Sequence, residues 1–274
     1  MDFPRARQLF YQEIRQPDEA IALSRAALYI AQEEYPDLDA EEYTNALDTM
    51  AAEVEERLPK EQYPLRIIKT INQYLYEDLK FVGNVEDYYD PRNSYLNQVI
   101  DRRTGIPITL SLVYLEIAQR LDFPMVGVGM PGHFLIRPAL DEMEVFVDPF
   151  YQGEILFPAD CEERLSQLYG KPVELQPEFV EAIAPKNFLA RMLTNLKMLY
   201  LNRGEIPKAL AAIERILLLF PDAIGERRDR GVVYYHTGRW IEASQDLEYY
   251  LDNTPDAEDA SMLRQLLKRI SDDS

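Results

Sequence analysis

Apolar positions recur with a helical period from residue 4 to about residue 80. Ala20-Ile21-Ala22-Leu23 runs into Ala26-Ala27-Leu28-Tyr29-Ile30-Ala31, and apolar residues three and four apart share one helix face. Asp37 to Ala40 predicts a turn feeding the next helix, and the stretch from Pro59 to Pro64 punctuates another. From Val82 to Asp101 the chain is polar and turn-rich, with Gly83, Asn84, Pro91, Asn93 and Asn97. Thr104-Gly105-Ile106-Pro107 then opens an uninterrupted helix to Leu121. Thr104 suits the cap, and Pro107 suits the first turn, where its missing N–H is harmless. After Pro124 the pattern shortens into strands at Met125–Met130, His133–Ala139 and Glu144–Pro149, and a helix follows around Cys161–Tyr169. Helices, a small antiparallel sheet and helices again give an α+β reading.

The end of the chain repeats itself. Tyr200, Gly204, Ala209, Ile213, Leu217, Pro221, Asp222 and Ala223 recur 34 positions later as Tyr234, Gly238, Ala243, Leu247, Leu251, Pro255, Asp256 and Ala257, which is the period of the tetratricopeptide repeat. Small Ala209 and Ala243 permit close helix packing, the glycines turn one helix into the next, and the prolines stop the second helix. The expected organisation is a first domain over residues 1–180 and an all-α repeat pair over 186–274. Its two repeats would cover about 190–223 and 224–257, with a capping helix beyond, apolar at Met262, Leu266 and Ile270.

Charge narrows the function classes. Lys and Arg number 29 against 48 Asp and Glu, a net charge of −19. Such a field repels nucleic-acid backbones and anionic lipid at long range, so neither nucleic acid nor membrane is an expected partner. No run reaches the ~18 apolar residues of a membrane span, the N-terminus lacks an apolar signal core, and a cytoplasmic location is expected. Cys161 is the single cysteine, and His133 and His236 are far apart, so no disulfide, metal site or cofactor is expected. His236 and Trp240 sit inside the repeat and read as structural.

Candidate chemistry concentrates at His133 and Asp148. They lie fifteen residues apart on neighbouring strands, in Gly132-His133-Phe134 and Phe146-Val147-Asp148-Pro149, joined through the acidic turn Asp141-Glu142. A histidine oriented by an aspartate is a general-base module; a histidine that only ties two strands together through Asp148 is the structural alternative.

The run Arg102-Arg103-Thr104-Gly105-Ile106-Pro107-Ile108-Thr109-Leu110-Ser111, together with Gly129-Met130-Pro131-Gly132-His133-Phe134 and Phe146-Val147-Asp148-Pro149-Phe150, resembles the transglutaminase-like superfamily. The likeness is to its SirB-type bacterial branch, which couples such a papain-like core to C-terminal tetratricopeptide repeats. The resemblance implies a cysteine at the start of the central helix, a strand histidine that takes its proton, and an aspartate that orients the histidine. His133 and Asp148 match the last two. Counting back from Asp122-Phe123-Pro124 puts the cysteine's position at about Pro107, and proline is no nucleophile.

Two readings follow. In the first, the protein is a non-catalytic or altered member that binds a protein or peptide partner through the old cleft, the repeats, or both. In the second, it is an amide-bond hydrolase or transferase in which Ser111 or Thr109 replaces the thiol beside His133 and Asp148. Asn93, Tyr95 and Asn97 are candidates for the pocket mouth or for turn and capping roles. Arg102 and Arg103 suit an anion clamp or pairing with neighbouring acids. Arg227, Arg228 and Arg230 on the second repeat pose the same choice for an acidic peptide tail.

Overall fold

A computed structural model describes residues 4–61, 63–140 and 143–273, which divide into two compact units between Met192 and Leu193. The first unit opens with four helices, α1 (Arg5–Ile14), α2 (Leu23–Gln32), α3 (Ala40–Glu55) and α4 (Pro64–Asn72). Asp39 caps α3 by accepting the Glu41 N–H at 3.0 Å. A π-helical stretch, Gln73–Asp78, continues α4. The polar stretch beyond it holds one unforeseen pairing: β1 (Val82–Gly83) lies parallel to β2 (Thr104–Gly105), on either side of α5 (Leu96–Arg102).

Helix α6 (Pro107–Arg120) is the hub of this unit, buried at every position from Pro107 to Ala118. Its start is closed by Thr109, whose Oγ1 accepts the Ile106 N–H at 3.1 Å and donates to the Asn93 carbonyl at 2.7 Å. Thr104 is therefore not the cap. It sits in β2, its hydroxyl donates to the Arg102 carbonyl at 3.0 Å, and Ile106 takes the cap position because Thr109 reaches back from inside the first turn. The other end closes with Phe123 N–H on the Ala118 carbonyl and Asp122 N–H on the Gln119 carbonyl. Asp122 adopts φ 51° there, the left-handed turn that usually falls to glycine.

Four antiparallel strands follow in spatial order: β3 (Met125–Val128), β4 (Leu135–Pro138), β5 (Phe146–Asp148) and β6 (Glu154–Leu156). They are shorter than their apolar stretches predict, and the expected Asp141-Glu142 turn lies outside the described residues. Helix α7 (Pro158–Tyr169) packs Cys161 and Leu165 against Val128, Met130, Leu135, Phe146 and Leu156 from the sheet.

In the second unit the 34-residue period is visible in the backbone. Following α8 (Pro185–Arg203), α9 (Ile206–Leu219) and α11 (Trp240–Asn253) begin one period apart, with α10 (Ile224–His236) between them and α12 (Ala260–Asp273) last. Gly204 (φ 70°) and Gly238 (φ 73°) turn the chain identically. The Glu205 and Arg239 N–H groups bond the Tyr200 and Tyr234 carbonyls, each at 2.9 Å. Ala209 and Ala243 are fully buried, as close helix packing requires.

Candidate functional site

The site is built on a tight turn. Met130 accepts the His133 N–H at 3.0 Å, and Gly132 between them has φ 73°. A side chain at that glycine would meet Leu168 of α7 at 2.8 Å, so both backbone and space demand glycine. The turn delivers His133 just ahead of β4, where its Nε2 lies 2.8 Å from Asp148 Oδ2.

Asp148, at the end of β5, is completely buried. Its Oδ1 accepts the Phe150 and Tyr151 N–H groups at 3.1 and 3.3 Å, capping the short 3₁₀ turn Pro149–Tyr151. Its Oδ2 is shared between His133 and the Arg164 guanidinium. Burial pushes this carboxyl up, but the hydrogen bonds and charges of His133 and Arg164 outweigh it and hold it below the usual carboxylate value. Arg164 also bonds Glu154 at 2.5 Å, so α7 is fastened to both β5 and β6.

Around the imidazole lie Phe150, edge-on at 6.2 Å between ring centroids, and Tyr151 at 5.9 Å. Behind the turn, Arg191 donates to the His133 carbonyl at 2.7 Å. A cavity of about 310 Å³ opens beside the ring, lined by the Met130–Gly132 turn with His133, Tyr151, Arg164, Gln167 and Leu168. That volume is at the lower end for small-ligand pockets. Among the described residues no cluster of His, Cys, Asp and Glu could hold a metal ion.

The hydroxyl candidates stand elsewhere. Pro107 begins α6, Thr109 is committed to closing that helix, and the Ser111 hydroxyl is buried without a hydrogen-bond partner. Among the described residues the His133 ring hydrogen-bonds Asp148 alone. Cys161 is fully buried in the sheet–helix core, where burial pushes its thiol up to about 11.

Asn93, Asn97, Tyr95, Arg102 and Arg103 gather around the 82–105 loop, and none lines the His133 cavity. Buried Asn93 donates to the Asp87 and Tyr88 carbonyls at 2.8 and 3.2 Å, and its Oδ1 receives Asn84 at 3.1 Å and Arg102 at 3.4 Å. Arg102 pairs with Asp90 at 3.3 Å, and Arg103 donates to the Leu79 carbonyl at 2.9 Å. Tyr95 is buried edge-on to Tyr35, and Asn97 is buried with its Oδ1 unpartnered.

In the second unit Arg230 makes a bidentate pair with Asp246 at 2.6 and 2.9 Å, and Arg228 pairs with Asp229 and Asp259. Half-buried Arg227 lies 4.1 Å over the Tyr249 ring.

The residue that sequence reasoning missed is Arg164. Its alignment with Asp148 depends on how α7 lies on the sheet, and no spacing rule reports that.

A model of the transglutaminase-like superfamily matches residues 41–194, and a tetratricopeptide-repeat model matches residues 196–268. A UPF0162 protein of Xylella fastidiosa is 38% identical over 264 residues, covering 93% of this chain and 92% of the relative. A UPF0162 protein of Vibrio cholerae is 27% identical over 257 residues, covering 93% and 95%. F-box only protein 21 of Homo sapiens is 33% identical over 195 residues, which is 65% of this chain and 29% of that one. No solved structure matches significantly. The matches of sequence, of helix-and-sheet order and of the repeat place the chain in the transglutaminase-like superfamily, among the SirB-type UPF0162 proteins that end in tetratricopeptide repeats.

Proposed function

We propose that the chain is a cytoplasmic binding protein whose His133 cleft holds a peptide or small amide without turning it over, a pseudoenzyme built on an amide-processing core. One observation carries the reading: among the described residues, no hydroxyl or thiol stands within hydrogen-bond reach of the His133 ring. A general base without a nucleophile to deprotonate is a polar anchor. Asp148, its carboxylate receiving four donors, fixes the orientation of that anchor. Gln167 and Tyr151 supply further hydrogen-bonding groups on the cavity wall. The repeats, a module that generally mediates protein–protein contacts, fit the same role.

The test pairs chemistry with binding. Purified protein is incubated with glutamine-containing peptides and a primary amine while ammonia release and amine incorporation are followed. The His133 ring nitrogens are observed by NMR in the same titration. Ring-shift changes without product are expected. Product formation that disappears in His133→Ala would replace this reading with the enzymatic one, and loss of labelling by a serine-reactive probe in Ser111→Ala would identify the nucleophile.

A further inference from the structure

In a chain with 48 acidic and 29 basic side chains, a cation drawn away from water has carboxylates to choose from. Of the half-buried arginines in the first unit, Arg102, Arg120 and Arg164 each pair with at least one. Arg137 meets none, and its Nε and Nη1 donate to the Val180 and Pro138 carbonyls at 3.2 and 3.1 Å. Arg191 meets none either, and only its Nη2 is engaged, by the His133 carbonyl at 2.7 Å and the Met130 carbonyl at 3.5 Å. Its Nε and Nη1 keep their N–H donors without a partner among the described residues.

The fold makes room for this group. A side chain at Gly129 would meet Arg191 Nη1 at 2.8 Å, so that glycine leaves space for the guanidinium. The Phe134 ring lies 5.2 Å from the guanidinium carbon. Burial pulls the guanidinium below its ordinary value, and the neighbouring Tyr88 phenol opposes that pull. Tyr88 is exposed, and its hydroxyl has no hydrogen bond among the described residues. One ring separates it from the imidazole: Phe150 is 6.0 Å from Tyr88 and 6.2 Å from His133 between centroids. An extended chain advances about 3.3 Å per residue, so a few residues of peptide span this distance.

We propose that Arg191 and Tyr88 form an anion subsite beside the His133 cleft, and that the peptide held there carries a carboxylate within a few residues of the group on His133. The inference rests on the cleft being a peptide site, and it narrows the ligand to an acidic peptide. One free guanidinium matches one negative charge. A phosphate dianion would call for a second cation, and Arg164 is already held by Asp148 and Glu154. The net charge of −19 opposes acidic ligands at long range. At about 0.15 M salt that field is screened beyond about 8 Å, while a contact pair with Arg191 persists.

The test uses the full chain at about 150 mM NaCl and an end-blocked peptide with a central glutamine flanked by glutamates. In the comparison peptide glutamine replaces every glutamate. Fluorescence anisotropy gives the affinities, and NMR follows the His133 ring nitrogens and the Arg191 Nε–H. The acidic peptide is expected to bind about fivefold or more tightly and to move both signals. Arg191→Gln should erase that preference, and Arg191→Lys should restore part of it. Tyr88→Phe, which leaves the turn's contacts in place, should take about two- to threefold from the acidic peptide alone. Equal affinities on the parent, or a preference that persists in both Arg191→Gln and Tyr88→Phe, would overturn the subsite. A peptide without glutamate but with a free C-terminus just after the glutamine separates the two carboxylate sources. Binding as tight as the glutamate peptide's assigns the carboxylate to a chain end, and weaker binding assigns it to a side chain. Equal shifts of the His133 ring at equal affinity would sink the subsite and keep the cleft. Acid-dependent binding through Arg191 with a still His133 ring would keep the anion subsite and sink the cleft reading.

Discussion

At the scale of single residues, two hydroxyls on α6 that look alike in sequence have opposite environments. Thr109 bonds both a backbone donor and a carbonyl, so Thr109→Val is expected to cost about 1–2 kcal/mol in urea denaturation, with Thr109→Ser restoring most of it. The Ser111 hydroxyl is buried and unpartnered, so Ser111→Ala should be neutral or stabilise by up to about 1 kcal/mol. Asp148 is the opposite extreme, a buried carboxylate with every lone-pair direction in use. Asp148→Asn should destabilise by about 2–4 kcal/mol, because it leaves Arg164 and His133 facing an amide. The carboxyl is held below its usual value of 3.8, so its contribution is complete above that pH and is lost as pH falls through the folded-state value. Unfolding curves of parent and variant should therefore converge as pH falls below 3.8. Cys161, its thiol raised to about 11, should react with a thiol reagent only after unfolding, and rapid labelling of native protein would contradict the buried placement.

Among the elements, legibility tracked how local the governing interaction is. The left-handed glycines of the second unit were readable because backbone conformation restricts the residue at that one position. Gly204→Ala and Gly238→Ala should each cost about 1 kcal/mol, measured as a lower denaturation midpoint. Pro107 at the start of α6 was readable for the same reason. Thr104 fits the cap by sequence because two hydroxyls flank that start, and only the fold decides which one faces the free N–H. The strands are shorter than their apolar stretches, since apolar residues such as buried Met130 continue into the turn ahead of β4 without joining the ladder. The parallel β1–β2 pair and the Arg164 contact could not be read at all. Each joins segments whose approach is set by intervening helices, which leave no period or spacing behind.

Over the whole molecule, the acid excess is the dominant long-range term. Screening should raise the midpoint of thermal unfolding as NaCl increases from about 20 to about 300 mM, since self-repulsion outweighs the surface ion pairs that salt also weakens. Among the described residues no helix is long and apolar enough to cross a membrane. The His133 site draws on distant stretches of the chain, and α7 touches it twice: Arg164 grips the Asp148 carboxylate, while Leu168 presses against Gly132 beside the imidazole. That helix is thus a lever with both members of the dyad on its arm. A shift of α7 would move both contacts together, changing the hold on the carboxylate and the packing of the turn that carries the imidazole.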